Sequence, residues 1–108
     1  MIKDVIDKKE VEQNISVLRP EFQNIVWDYN ITPEDFLNML FCDDPYRKTW
    51  ATARLLMYAT WKTTVRLLGV KEILDRWKDV QKQVKRTKYT EQLYINIDWL
   101  EKYVASHR

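Results

Sequence analysis

One glycine in 108 residues, Gly69, is the strongest restriction on what this chain can form. β-Hairpins turn through backbone that favours Gly or Asn-Gly at the tip, and no such pair occurs here. The three prolines, at positions 20, 33 and 45, fall at helix boundaries. Helix formers such as Leu, Lys, Glu, Gln, Arg, Met and Ala fill the stretches between them. With 45% hydrophobic residues, five Trp and six Tyr, the chain has material for one core without staples. The expected fold is all-α, a compact single-domain bundle of five or six short helices spanning residues 1–108.

The elements follow from periodicity and caps. Residues 3–18 read as a first helix with Val11, Ile15 and Leu18 on one stripe, stopped by Pro20. Its first turns have little to bury, so the N-terminal helix over residues 1–20 is expected to be loosely attached. Glu21–Tyr29 is expected to hold a short helix or turn that plants Phe22, Val26 and Trp27 in the core. Thr32-Pro33-Glu34-Asp35 combines a hydroxyl cap, Pro at the first helical position and two acids at the positive end of the dipole. Asp44-Pro45 opens a third helix over residues 46–58, whose stripe Tyr46, Trp50, Ala53 and Met57, with Ala51, Leu55 and Leu56 beside it, makes it central. Thr60 caps a short fourth helix with Trp61, Val65 and Leu68 inward and Gly69 at its end. Ile73, Trp77, Val80 and Val84 line a fifth. Leu93, Ile97, Leu100 and Val104 are at helical spacing in a C-terminal tail, residues 89–108. Gln92–Ile97 also suits a short extended piece, with Asp98-x-x-Glu101 then capping a helix from Trp99. Trp50, Leu56, Trp61, Leu68, Ile73 and Trp77 are the expected core.

Chemistry has little to stand on. His107 is the only histidine and lies beside the last residue, where nothing holds a general base in place. Cys42 has no fixed histidine to activate it. Glu34, Asp35, Asp43 and Asp44 are oxygen ligands of the type Mg²⁺ or Ca²⁺ takes, but a ten-residue helix is roughly 15 Å long and separates them. One glycine also excludes phosphate-cradling loops. No catalytic residue, metal or cofactor is expected, and the chain is read as a non-enzyme. The start, Met1-Ile2-Lys3-Asp4, has no signal-peptide pattern. No apolar run reaches membrane-spanning length. A lone cysteine fits a reducing compartment, so the cytoplasm is the expected location and a membrane is not an expected partner.

Two surface signals remain. Ten acids and four bases occupy residues 1–44, whereas six acids and fourteen bases occupy residues 45–108. The basic excess is densest at Arg76, Lys78, Lys82, Lys85, Arg86 and Lys88, next to Trp77 and Tyr89. Such a run suits phosphate neutralisation with aromatic stacking, and Thr60–Lys88 admits a helix-turn-helix reading. The alternative is a solvated face paired with the acidic front of the same chain. The second signal is apolar. In a helical tail, Ile95, Trp99 and Tyr103 form a second stripe opposite Leu93, Ile97, Leu100 and Val104, and a small domain has difficulty burying both. Exposed aromatics of this kind anchor interfaces.

Trp27-Asp28-Tyr29, Arg54-Leu55-Leu56, Ala59-Thr60-Trp61 and Leu67-Leu68-Gly69-x-Lys71-Glu72-Ile73 resemble a family of small bacterial helical proteins of uncharacterised domain type. Members are often encoded beside abortive-infection-type nucleotidyltransferase toxins, as antitoxin-like or accessory components. The resemblance covers about residues 22–80 and carries over no catalytic residue. It implies a protein partner, of which a toxin enzyme is one kind. The leading expectation is therefore a non-enzymatic interaction module using Ile95, Trp99 and Tyr103, with a homo-oligomer left open. The competing expectation is a small DNA- or RNA-binding regulator that uses the stretch 76–88.

Overall fold

The structure, a computed structural model, describes the backbone of residues 8–106 and the side chains of residues 12–106. The expected helical start at residues 3–7, the side chain of Val11 and His107 lie outside these described residues. Among the described residues there are six helices of eight or more residues: α1 (Lys8–Leu18), α3 (Pro33–Leu40), α4 (Pro45–Tyr58), α5 (Trp61–Leu68), α6 (Val70–Val80) and α7 (Glu91–Ser106). A 3-10 turn at Arg19–Glu21 and a single helical turn, α2 (Phe22–Ile25), join α1 to the rest. Among the described residues there is no strand, and the fold is an all-α bundle.

The helix starts obey their sequence signals. Thr32 Oγ1 accepts from the Asp35 amide at 3.1 Å, and the Asp35 carboxylate accepts from the Thr32 amide at 3.2 Å, a closed capping box. Asp44 accepts from the Tyr46 amide at 2.9 Å. Thr60 accepts from the Thr63 amide at 3.3 Å. Asp35 and Asp44 are thus occupied as caps. Gly69 ends α5 and begins α6 at φ 82° and ψ 157°. That is a region of backbone space essentially reserved for glycine, distinct from the left-handed helical conformation of an ordinary C′ glycine. A one-residue link between two helices is possible because this residue alone absorbs the change of direction.

The core has two clusters, and α4 serves both. Ala51 and Leu55 join Leu18, Phe22, Ile25, Val26, Phe36, Leu37, Leu40 and Leu67. Ala53 and Leu56 join Ile73, Trp77, Val80, Val84, Leu93, Ile97 and Leu100. The central position expected for α4 holds, but its buried face differs from the expected stripe. Tyr46 is 83% exposed and Met57 39% exposed, while Thr52, Leu55 and Leu56 turn inward. Tyr46 belongs to the first turn of the helix, before the buried stretch that begins at Ala51, so helical phase alone misplaces it. Trp50, Trp61 and Leu68 pack at the cluster margins, partly buried. α1 packs on α5 and α3 through Leu18, Ile15 and Val17.

Trp27 corrects a further expectation. It is 67% exposed, because α2 ends at Ile25 and the chain turns outward after Val26. Arg54 holds this loop instead. Its Nε donates to the Ile25 carbonyl at 2.9 Å, and its guanidinium pairs with Asp28. Tyr29, Trp50 and Tyr58 surround the cation with ring centroids 5.4, 5.5 and 4.8 Å away. Such contacts contribute on the order of 0.5–2 kcal/mol each.

Glu21 makes a second long-range clamp. It accepts from the Thr60 amide at 2.6 Å, the Thr60 hydroxyl at 3.0 Å and the Thr63 hydroxyl. Burial by itself pushes the Glu21 carboxyl up, but the donors from Thr63 and Thr60 together outweigh it and hold it below the usual range. The carboxylate therefore sits at the positive end of α5 and fixes the α1–α2 junction to it.

Candidate partner-binding face

α7 is one continuous helix of 16 residues, so the extended alternative for residues 92–97 is replaced by helix, and Asp98 lies within the helix rather than at a cap. Thr90 precedes it and turns its hydroxyl back onto the Lys85 carbonyl at 2.6 Å, while accepting from the Thr87 amide at 2.8 Å. These bonds order the connection from α6. The α6 stripe also stops earlier than its periodicity implies. The helix ends at Val80, and Val84 reaches the core from the following turn, 1% exposed. Tyr94 of α7 donates its hydroxyl to the Val84 carbonyl and packs edge-on against Trp77 with centroids 5.2 Å apart. α7 is thereby fixed in rotation as well as in position.

That rotation decides which side chains meet water. Leu93, Ile97 and Leu100 are buried. On the opposite side Ile95 is 47%, Trp99 63% and Tyr103 45% exposed. Trp99 and Tyr103 stack on one another, centroids 5.3 Å apart and planes within 18°. Stacking gives the two rings one orientation before anything docks, which lowers the ordering cost of an interface. The three residues that the sequence pattern singled out therefore lie on one exposed face.

Beside this face runs an open cleft of about 530 Å³ between α6 and α7. Trp77 and Tyr94 line its floor, and Asp75, Lys78, Asp98 and Glu101 stand around it. Arg86 also lines it, its Nε donating to Glu91 at 3.0 Å in a two-pronged pair. The hydrogen bonds from Arg86 hold the Glu91 carboxyl below its usual range, and the same pairing raises Arg86.

The basic stretch comes apart in three dimensions. Arg76, expected on the outer face, is 9% exposed. Its guanidinium donates to the Leu40 carbonyl at 2.8 Å, to Thr52 Oγ1 at 2.9 Å and to Glu72 at 3.0 Å. It ties α3, α4 and α6 together and is not available to a phosphate. Trp77 is buried, so it offers no stacking surface to a base. Arg86 is engaged with Glu91, and Lys82 approaches Asp79 at 3.9 Å. Lys78, Lys85 and Lys88 are exposed, the last with its Nζ 5.1 Å over the ring of Tyr89. The one-residue link at Gly69 also departs from a helix-turn-helix, which turns over three or four residues.

Among the described residues, no group of three or more His, Cys, Asp or Glu side chains is placed to hold a metal ion, and no helix is long and apolar enough to cross a membrane. Cys42 is half-buried, its thiol donating to the Met39 carbonyl at 3.1 Å. Family models, curated proteins and solved structures offer no match to this chain.

Proposed function

We propose that this domain is a non-enzymatic protein-interaction module of the cytoplasm, with the outward face of α7 as its docking surface. The observation that carries the reading is the row Ile95, Trp99 and Tyr103, three large apolar side chains exposed on a helix whose other side is core. Water-facing aromatics held in a fixed stack are the groups that serve as interface anchors. The residue pattern described above suggests the partner's class, a toxin-type enzyme that the domain binds and blocks in the manner of an antitoxin or accessory component. The charges of Asp98 and Lys102 flank the row and would steer the encounter.

A phosphate-binding reading draws on Lys78, Lys82, Lys85 and Lys88 with Tyr89, which is 86% exposed. It lacks Arg76, and Arg86 would have to leave Glu91. Purification of the tagged protein from its host at about 150 mM salt, where surface charges are screened beyond about 8 Å, separates the two readings. A stoichiometric protein retained after nuclease treatment and lost with Trp99→Ala is the expected result. Recovery of nucleic acid alone, abolished by nuclease and by Lys85→Glu with Lys88→Glu, would replace the module with a nucleic-acid binder.

A further inference from the structure

We propose that the outward face of α7 also binds a second copy of this chain, packed antiparallel about a two-fold axis at Trp99. The inference rests on α7 being the docking surface and adds what covers it before a partner does. Consecutive helical residues advance about 100° and 1.5 Å. Ile95 and Tyr103 therefore sit about 6 Å to either side of Trp99, within one narrow arc. A two-fold axis through Trp99 lays this residue on its symmetry mate and Ile95 on Tyr103 of the second copy. An isologous interface needs a face that complements itself, and an apolar row centred on its largest ring does so.

The charges select the antiparallel arrangement. Asp98 and Lys102 are both exposed and share one edge of the row, four residues apart. In the antiparallel pair, like edges meet. Asp98 then falls about 3 Å along the axis from Lys102 of the second copy, and the symmetry supplies the same pair again, so two attractions outweigh the single repulsion between the two Asp98 carboxylates, which also lie about 3 Å apart along the axis. In a parallel pair that edge would meet the side bearing Asn96, where no charge answers it. With 16 residues, α7 is about 24 Å long, so the interface belongs to the small, transient class below about 1,200 Å². A weak dimer of this kind protects the aromatic row and yields to a tighter partner.

Sedimentation equilibrium of the full chain tests this between about 1 µM and about 500 µM, the range expected for a small interface. The expected result is a monomer–dimer equilibrium that Trp99→Ala weakens by about a hundredfold. Lys102→Asp weakens it by about tenfold, since carboxylates then face one another. Asp98→Lys combined with Lys102→Asp restores it to within about threefold of the parent. Lys102→Asp is the cleaner single change, because Asp98 also attracts Arg86. A monomer throughout the range, a dimer indifferent to Trp99→Ala, or a charge swap that restores nothing would overturn the proposal. If the monomer still captures a protein through Trp99, the docking surface stands and only self-association fails. If neither dimer nor capture responds to Trp99→Ala, both readings fall.

Discussion

Arg76 shows how a single side chain changes the reading of a surface. Its neighbours in sequence are basic, yet Ile73, Arg76, Trp77 and Val80 occur at i, i+3, i+4 and i+7, the spacing of a buried stripe. The position was legible as interior; the residue type argued against it, and the deciding acceptors, Leu40 and Thr52, are far away in sequence. Arg76→Met keeps the stem and removes the donors, leaving the Leu40 carbonyl without this partner. Urea unfolding should register a loss of about 1–3 kcal/mol. Glu21 carries a pH signature. Its carboxyl is held below the usual range in the folded chain, so its contribution is present above the unfolded value and is lost as pH falls through the folded one. Glu21→Gln should therefore be less stable than the parent at neutral pH, and the two should converge as the pH drops into and below the ordinary Glu range. A difference that stays constant across the titration would remove Glu21 from the account. Trp27 had no comparable signal. Aromatic character pointed inward, and only the Arg54–Asp28 pairing, 26 positions apart, shows why its loop stays outside.

At the level of elements, the caps were the most legible features. Thr32-Pro33-Glu34-Asp35, Asp44-Pro45 and Thr60 each name a helix start, since the satisfied amides lie within three residues of the capping oxygen. Where α6 ends was less legible, because Val84 keeps helical phase with Val80 while the chain has already turned. Local spacing does not register the Tyr94 hydroxyl that holds this turn. Gly69 has the sequence signature of a helix terminator, but nothing local marks it as the sole connector between two helices. Adding a Cβ there meets no atom within 4 Å, so Gly69→Ala carries a backbone cost only. Thermal unfolding should show a destabilisation of about 1–3 kcal/mol. α7 offers a contrast between its two sides. Trp99→Ala should leave stability within about 0.5 kcal/mol of the parent, as surface changes usually do. Ile97→Ala, at 0% exposure, should cost about 2–5 kcal/mol. Equal effects on a denaturation curve would mean that the outward row contributes to the fold.

For the molecule as a whole, α4 is the element on which both clusters close. Neither cluster keeps its packing if α4 leaves, so the two should unfold together. Hydrogen exchange should find the slowest amides at Ala51–Leu56, and their opening free energy should match that of global unfolding. Amides there that exchange through a cheaper local opening would show two independently melting halves. The charge asymmetry of the sequence is partly consumed inside the fold: Arg54 reaches back to Asp28, and acidic Glu21 is taken up by hydroxyls and an amide of α5. A count along the chain cannot distinguish such internal uses from a steering field. The distribution of indoles has a practical consequence of another kind. Trp50, Trp61 and Trp77 are covered to differing degrees, whereas Trp27 and Trp99 stand mostly in water. With Trp27→Phe in place, the red edge of the protein's fluorescence would come chiefly from the centre of the α7 face. Whatever settles there would announce itself by a shift of emission to the blue, with no label attached.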